Sequence, residues 1–385
     1  MIFSRLLSRS SVCTAQRLYR VQPKGATLFR TVLTTSAQPA NAFVSEKARK
    51  AVGYWLLTCC GFTFGTIVVG AITRITKSGL SMVDWHLFKE FPPLSYAQWE
   101  IEFEKYKQFP EYKLRNMNMS IEEFKKIWYM EYFHRMLGRN IGAVFVIPAA
   151  YFWYKKWFTT GMKKRGLLGW YMVKSGLQDE TAQKYADPRV SHYRLAAHLG
   201  TAFVFYSLLL WTGLNTLFPP EKAPITPKMV LFRKLVHSTK GLIFLTALSG
   251  ALVAGLEAGL VYNSFPKMAD RWIPSDLFAQ TPLWKNFFEN STTVQFDHRL
   301  FGELVFCAVS GCWLYGRRLP LNPRMRLALN CLMGVACVQV SLGIATLLFY
   351  VPKSLAVTHQ AGALTLLSTA LWLGHEMKLI RYVKK

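Results

Sequence analysis

Residues 131–138 read Glu-Tyr-Phe-His-Arg-Met-Leu-Gly, and residues 295–302 read Gln-Phe-Asp-His-Arg-Leu-Phe-Gly. Each stretch leads into an apolar segment that is long enough to cross a membrane as a helix. The segments that come before them also match, because residues 70–80 resemble residues 250–260. A duplicated pattern of this extent predicts two halves that share one architecture and one orientation.

Apolar segments of membrane-spanning length recur through the rest of the chain. Seven are predicted as helices: 52–73, 134–154, 193–213, 236–256, 297–316, 326–350 and 355–375. Clusters of Lys and Arg flank them, and the positive-inside rule assigns these clusters to the mitochondrial matrix. The clusters at 163–165 and 228–234 are both assigned to the matrix, so the chain must cross the membrane twice between them. Only one full-length span lies there. We therefore expect a short additional helix at about 165–177.

The predicted fold is an all-α polytopic membrane protein, an eight-helix bundle built from two pseudo-repeated four-helix halves. Its third helix is short, and about ten apolar residues present in the corresponding helix of the second half are missing. We expect an N-terminal half at 46–220, with a long loop at 74–133, and a C-terminal half at 221–385. Both chain termini are expected in the matrix.

The first 45 residues form a distinct basic segment. They contain six Lys or Arg and no acid, and the first acidic residue is Glu46. This composition, together with many Ser and Thr, is typical of a mitochondrial transit peptide. The net charge of +26 comes from this segment and from loops between apolar runs, which indicates membrane topology and not nucleic-acid binding.

Four histidines occupy matched positions in the two halves. His134 and His298 open equivalent spans, and His198 and His359 follow them by 64 and 61 residues. Each half therefore presents two imidazoles from different helices at one depth, near the intermembrane-space end. Two facing imidazoles in an apolar bundle suit a six-coordinate haem, whereas zinc would need three or four ligands. A single such histidine could equally make an interhelical hydrogen bond.

The residues beside these histidines differ between the halves. Glu131 lies three residues before His134, and Gln295 takes that place before His298. A carboxylate near one site and an amide near the other predicts that only the first site performs chemistry. Glu131 could instead be an interfacial acid that pairs with Arg135. Arg135 and Arg299 are candidates to bind haem propionates, or they are cations that extend to the interface.

The sequence resembles the haem A synthase family over nearly all of its length after the presequence. The resemblance is carried by GAITRITKSGLSMVDW, EYFHRMLG, LLGWYMVKSGL, YRLAAHLG, AGLVYNSFPKM, FENSTTVQFDHRLFGE and THQAGALT. The family's reaction is the oxidation of a methyl group of haem O to the formyl group of haem A for cytochrome c oxidase. The cysteine pair that many bacterial members carry in the first long loop is absent here.

The resemblance implies roles for the matched residues. His298 and His359 would hold a haem b cofactor, and His134 and His198 would hold the substrate haem O with Glu131 as the catalytic residue. It also implies a mitochondrial inner-membrane enzyme in contact with lipid, a ferredoxin-type electron donor and haem O synthase as a neighbour. A homo-oligomer is a further expectation for the assembly.

Two other functions are compatible with parts of the pattern. A non-catalytic di-haem b electron carrier is the main alternative, but such carriers need ligands on both sides of the membrane. A transporter built on parallel repeats would place ionisable residues in the middle of the spans. The middle of these spans is almost free of charge.

Overall fold

The computed structural model describes residues 45–82, 84, 91–159, 162 and 191–380. Ten α-helices and no strand occur in these residues. The helices are α1 (Glu46–Ile75), α2 (Tyr96–Lys107), α3 (Pro110–Arg115), α4 (Ile121–Tyr154), α5 (His192–Leu217), α6 (Pro227–Gly255), α7 (Asn286–Glu289), α8 (Ser291–Gly316), α9 (Pro323–Leu348) and α10 (Lys353–Glu376). The transit peptide expected at 1–45 falls outside the described residues except for Ser45, as does the short third helix expected at 165–177.

The seven spans predicted from the sequence are all helical. Helices α1, α4, α5, α6, α8, α9 and α10 have 24 to 34 residues each, and about 20 residues suffice to cross the hydrocarbon layer. Four of them, α1, α5, α6 and α9, are long and apolar enough to be membrane spans by length and composition. The protein is an all-α polytopic membrane protein.

Helix α4 shows how local sequence sets the bounds and shape of an element. Ser120 and Glu123 form a reciprocal capping box, so the helix begins at Ile121, ahead of the span that the sequence predicts at 134–154. Pro148 lies inside the helix and has no N–H to donate to the carbonyl of Val144. The indole N–H of Trp55 on α1 donates to that carbonyl over 2.8 Å, which satisfies the acceptor that the proline leaves free.

The two halves pack in the same way. Helix α1 packs against α4 and α5, and its counterpart α6 packs against α8 and α10. The halves meet through α5 with α6, α1 with α10, and α5 with α10. Both halves therefore contribute to one apolar core, which extends over all seven long helices. The domain boundary at 220/221 stays a prediction.

The outer surface of the long helices is apolar. Large side chains such as Ile147, Leu245 and Val338 are more than half exposed away from the ends of their helices. Exposed apolar surface in the middle of long helices is expected where lipid, and not water, surrounds the protein.

A second cluster covers one end of the N-terminal half. Helices α2 and α3 belong to the long loop; α2 packs against α4, and α3 packs against α2. Six residues form this group, which we call the aromatic cap: Met82, Trp99, Phe103, Tyr106, Phe124 and Trp128.

Candidate functional site

The four predicted histidines lie at one end of the bundle. It is the end where α1, α6 and α9 finish and α4, α5, α8 and α10 have their early turns. His134 contacts Gly70 near the end of α1, and His298 contacts Gly250 near the end of α6. His359 contacts Gly343 near the end of α9. The chain therefore places histidines from both halves at similar depth.

His298 and His359 form a facing pair. Their ring centroids are 6.4 Å apart and their planes are at 89°. A metal–imidazole bond is about 2 Å long and the nitrogen lies about 1 Å from its ring centroid, so two axial imidazoles have centroids about 6 Å apart. The pair thus fits the two axial ligands of one haem iron. Among the described residues, no group of three or more His, Cys, Asp or Glu could hold a metal ion.

His134 and His198 form the second pair. The two imidazoles are close enough to interact electrostatically, and both lie on helices of the N-terminal half. The structure therefore brings the four histidines together as 134/198 and 298/359, which is the pairing that the sequence predicts.

A glycine on the neighbouring helix sets the position of three of these rings. A Cβ atom on Gly70, Gly250 or Gly343 would lie 2.8, 3.1 or 3.0 Å from the Cε1 atom of the facing histidine. These distances are shorter than normal van der Waals contact, so a larger residue would displace the ring. Each imidazole edge thus rests against helix backbone, which restricts the ring to one position.

Other glycines near the histidines fall into two groups. A Cβ on Gly138, Gly142 or Gly302 would meet no atom of the described residues within 4 Å. Gly138 and Gly302 each lie four residues after a histidine, on the same helix face, so open space adjoins the ring. This open space is what a flat macrocycle would require. Gly200 and Gly362 instead lie against Leu248 and Gln339 of neighbouring helices.

Glu131 is buried and is bonded through both of its oxygens. Its Oε2 accepts from the Ser81 hydroxyl and from the backbone N–H of Met82, each over 2.8 Å. Its Oε1 accepts from Arg135 Nε over 3.0 Å and Nη2 over 2.5 Å. The carboxylate is only 4% exposed, so it is a buried partner of Arg135 and not a solvated interfacial acid. It joins α4 to the loop that follows α1.

The C-terminal half repeats this arrangement with an amide. Gln295 Nε2 donates to the Tyr262 carbonyl over 3.1 Å, and Gln295 Oε1 accepts from Arg299 over 3.3 Å. Tyr262 is the counterpart of Met82 when residues 78–80 are aligned with 258–260. The carboxylate accepts from the Met82 N–H, whereas the amide donates to the carbonyl of Tyr262. The hydrogen bond between the long helix and the loop therefore runs in opposite directions in the two halves, because a carboxylate accepts where an amide donates.

Arg135 and Arg299, the two residues predicted to bind haem propionates, also donate hydrogen bonds to these loops. Arg135 donates to the carbonyls of Met82 and Asp84 over 2.9 and 2.8 Å. Arg299 donates to the carbonyls of Tyr262 and Ser264 over 2.8 and 2.9 Å. Both guanidinium groups hold the loop above a histidine pair, and their contact with propionates stays a prediction.

Two further cations at this end have partners in the protein. Arg74 donates to the carbonyls of Ala254 and Gly255 at the end of α6, and Lys77 pairs with Glu257 over 3.2 Å. These contacts join the two halves. They also explain basic residues on a side where the positive-inside rule predicts few.

Glu111 is a buried acid that sequence reasoning missed. It lies under the aromatic cap and accepts a hydrogen bond from the Tyr106 hydroxyl over 3.2 Å. The negative charge of Glu131 is close enough to interact with it electrostatically. Burial raises the pKa of Glu111 to about 7, and the negative charge of Glu131 adds to this effect, while Arg115 and Arg74 oppose it. Its sequence context, a single acid after Pro110 in a polar loop, carries no signal of burial.

The other histidines within the described residues lie where helices pack together. His375 is fully buried at the end of α10 and its Nε2 lies 2.7 Å from the carbonyl of Phe218. His237 lies 3.0 Å from Lys240 on α6, and His192 packs against Gly255. His86 lies outside the described residues.

The fold and the site define a polytopic helical membrane protein with two paired-histidine sites at one end of a duplicated bundle. A model of the COX15-CtaA family, described as a cytochrome oxidase assembly protein, matches residues 53–371. The chain belongs to this family.

Curated relatives cover most of the chain. It is 54% identical over 348 residues to "Heme A synthase COX15" of Homo sapiens, with 87% of this chain and 85% of the relative covered. It is 46% identical to the Arabidopsis thaliana protein of the same name, over 86% of this chain and 76% of the relative. It is 44% identical to "Heme A synthase" of Nitrosospira multiformis, over 89% of this chain and 98% of the relative.

Proposed function

We propose that this protein is a haem A synthase, an oxidoreductase that converts a methyl group of haem O to the formyl group of haem A for cytochrome c oxidase. The observation that carries the proposal is the pair of His298 and His359, whose ring centroids are 6.4 Å apart. His134 and His198, which interact electrostatically, form a second pair in the other half. The names of the relatives support the same function.

The two sites have different roles in this proposal. His298 and His359 hold haem b, which supplies one-electron chemistry when bound, and His134 and His198 hold haem O as substrate. Glu131 assigns the chemistry to the N-terminal half because it places a carboxylate where the C-terminal half has an amide. Arg135 and the loop at 81–82 hold that carboxylate in one position next to the substrate site.

The surroundings of the enzyme follow from the cation pattern and the family resemblance. The protein would lie in the mitochondrial inner membrane after removal of a transit peptide at 1–45, with its termini in the matrix. The histidine sites would face the intermembrane space. A ferredoxin-type donor would supply electrons, haem O synthase would supply substrate, and a homo-oligomer is compatible with the exposed apolar faces.

The test is to express the full-length chain in cells that lack their own haem A synthase. Purified protein should contain haem b together with haem O or haem A, as measured by pyridine haemochrome spectra and reversed-phase chromatography. Glu131→Gln should lower cellular haem A at least tenfold while haem b stays bound, because the change lies in the other half.

The matched control is Glu104→Gln, which alters an exposed acid of α2 whose ion pair within the described part of the chain is with Lys107. It should leave haem A at the wild-type level. Cells that carry the wild-type chain but contain no haem A, with purified protein that holds haem b alone, would refute the proposed function. Normal haem A in cells that carry Glu131→Gln would refute the role of Glu131 alone.

The alternative, a non-catalytic di-haem b electron carrier, is not supported. The relatives are named as synthases, and the four histidines lie at one end of the bundle, whereas transfer across the membrane needs ligands on both sides.

A further inference from the structure

Ser249 on α6 contacts the imidazole of His298. Its Oγ lies 2.7 Å from His298 Nδ1 and also donates to the carbonyl of Thr246 over 2.8 Å. A hydroxyl has one proton, so with that proton on the Thr246 carbonyl the oxygen accepts from Nδ1–H. This hydrogen bond assigns the tautomer in which Nε2 carries the free lone pair that a metal ion needs.

The N-terminal half lacks this contact. Gly70 and Gly250 occupy matched positions against His134 and His298, so the counterpart of Ser249 is Val69. A valine side chain cannot accept a hydrogen bond. Nδ1 of His134 is buried and has no hydrogen-bond partner among the described residues.

The difference affects how strongly each site holds iron. A hydrogen bond from the second nitrogen of a ligating imidazole fixes the ring and raises its basicity, and its loss costs about 10- to 100-fold in metal affinity. Both sites contain a histidine pair, and in both a glycine of the preceding long helix lies against the first histidine of the pair, Gly70 against His134 and Gly250 against His298. The serine therefore strengthens one site and not the other.

We infer that Ser249 is a positioning residue that makes the His298/His359 site retain its haem, and that Val69 leaves the His134/His198 site able to release its haem. The inference rests on the proposed function, in which the first site holds a cofactor and the second must accept substrate and release product. A cofactor site benefits from slow dissociation, whereas a substrate site must turn over.

The test uses an isosteric pair at position 249. Threonine keeps the hydroxyl and valine replaces it with a methyl group, so Ser249→Thr and Ser249→Val differ in hydrogen bonding and not in size. The full-length chain is purified with its bound haems. Haem b retention is measured as the rate of transfer to apomyoglobin, and the midpoint potential of haem b is measured by redox titration.

Ser249→Val should lose haem b at least tenfold faster than the wild type. Its potential should rise, because a less basic imidazole stabilises ferric iron less. Ser249→Thr should keep the wild-type rate and potential. Val69→Ser should slow the release of haem from the N-terminal site, and this variant tests the inference even if Ser249→Val does not fold. The control is Ser207→Val, since the hydroxyl of Ser207 on α5 donates to the carbonyl of Phe203 and to no other described residue.

Equal haem b retention and equal potentials in Ser249→Val and Ser249→Thr would overturn the inference while the proposed function stands. Wild-type protein that binds no haem would refute the proposed function and this inference with it. Faster haem loss in Ser207→Val as well would also overturn it, because the effect would then come from general loosening of the bundle.

Discussion

Replacing Glu131 by Gln tests whether its carboxylate holds the loop that covers the N-terminal site. Oε2 accepts from the Met82 N–H and the Ser81 hydroxyl, while Oε1 accepts from Arg135. An amide has one acceptor and one donor side, so either orientation sets its NH2 against the Met82 N–H or against the guanidinium. Hydrogen bonds to charged groups contribute about 1.5–3 kcal/mol each.

We therefore expect the loop to open more easily by about 2–3 kcal/mol, which is about 30- to 150-fold in the opening equilibrium. Hydrogen–deuterium exchange of the peptide 76–82, with mass spectrometry, should show this acceleration. The peptide 258–264 of the other half serves as an internal reference and should not change. Unchanged exchange at 76–82 in Glu131→Gln would refute the argument that the carboxylate secures this loop.

Three further predictions concern other parts of the bundle. Gly250→Ala should displace the ring of His298 and lower bound haem b per protein, whereas Gly311→Ala, where a Cβ meets nothing within 4 Å, should bind haem b normally in the same assay. Burial raises the pKa of Glu111 to about 7, above its ordinary value of 4.5, so the folded aromatic cap binds the carboxyl proton more tightly than the unfolded chain does. The stability of the cap should therefore fall as pH rises from about 4.5 to 7, by up to about 3 kcal/mol. Thermal unfolding at pH 5 and pH 8 should show this difference in the wild type and not in Glu111→Gln. Arg324→Met should destabilise the protein by about 3 kcal/mol, because it removes the guanidinium that lies 2.6 Å from the fully buried carboxylate of Glu376. Adding Glu376→Gln should restore part of the lost stability, and equal melting temperatures for the single and double variants would contradict this.

The overall fold follows largely from patterns that the sequence displays directly. Apolar segments of spanning length predict seven long helices, and the structure has all seven. The capping box at Ser120 and Glu123 sets the start of α4 well before the predicted span at 134–154. These features are local, because helix length and capping depend on residues within one or two turns.

The pairing of the histidines was also accessible, for a reason that is specific to this chain. An internal repeat aligns the sequence with itself, so matched histidines reveal which residues share a depth without any tertiary information. The glycines that face the rings could not be recognised in this way. Gly70, Gly250 and Gly343 differ from Gly138 and Gly302 only in what the neighbouring helix places against them.

The sequence by itself determined the class of protein, the two-fold repeat, the histidine pairs and the difference between Glu131 and Gln295. Only the tertiary structure decided that Glu131 is bonded on both oxygens, that Glu111 is buried beneath the aromatic cap, and that Ser249 reaches His298 while Val69 leaves His134 without such a bond. The physical reason is range. Hydropathy and repeat patterns are read along the chain, whereas hydrogen-bond partners and burial depend on helices that are distant in sequence and adjacent in space.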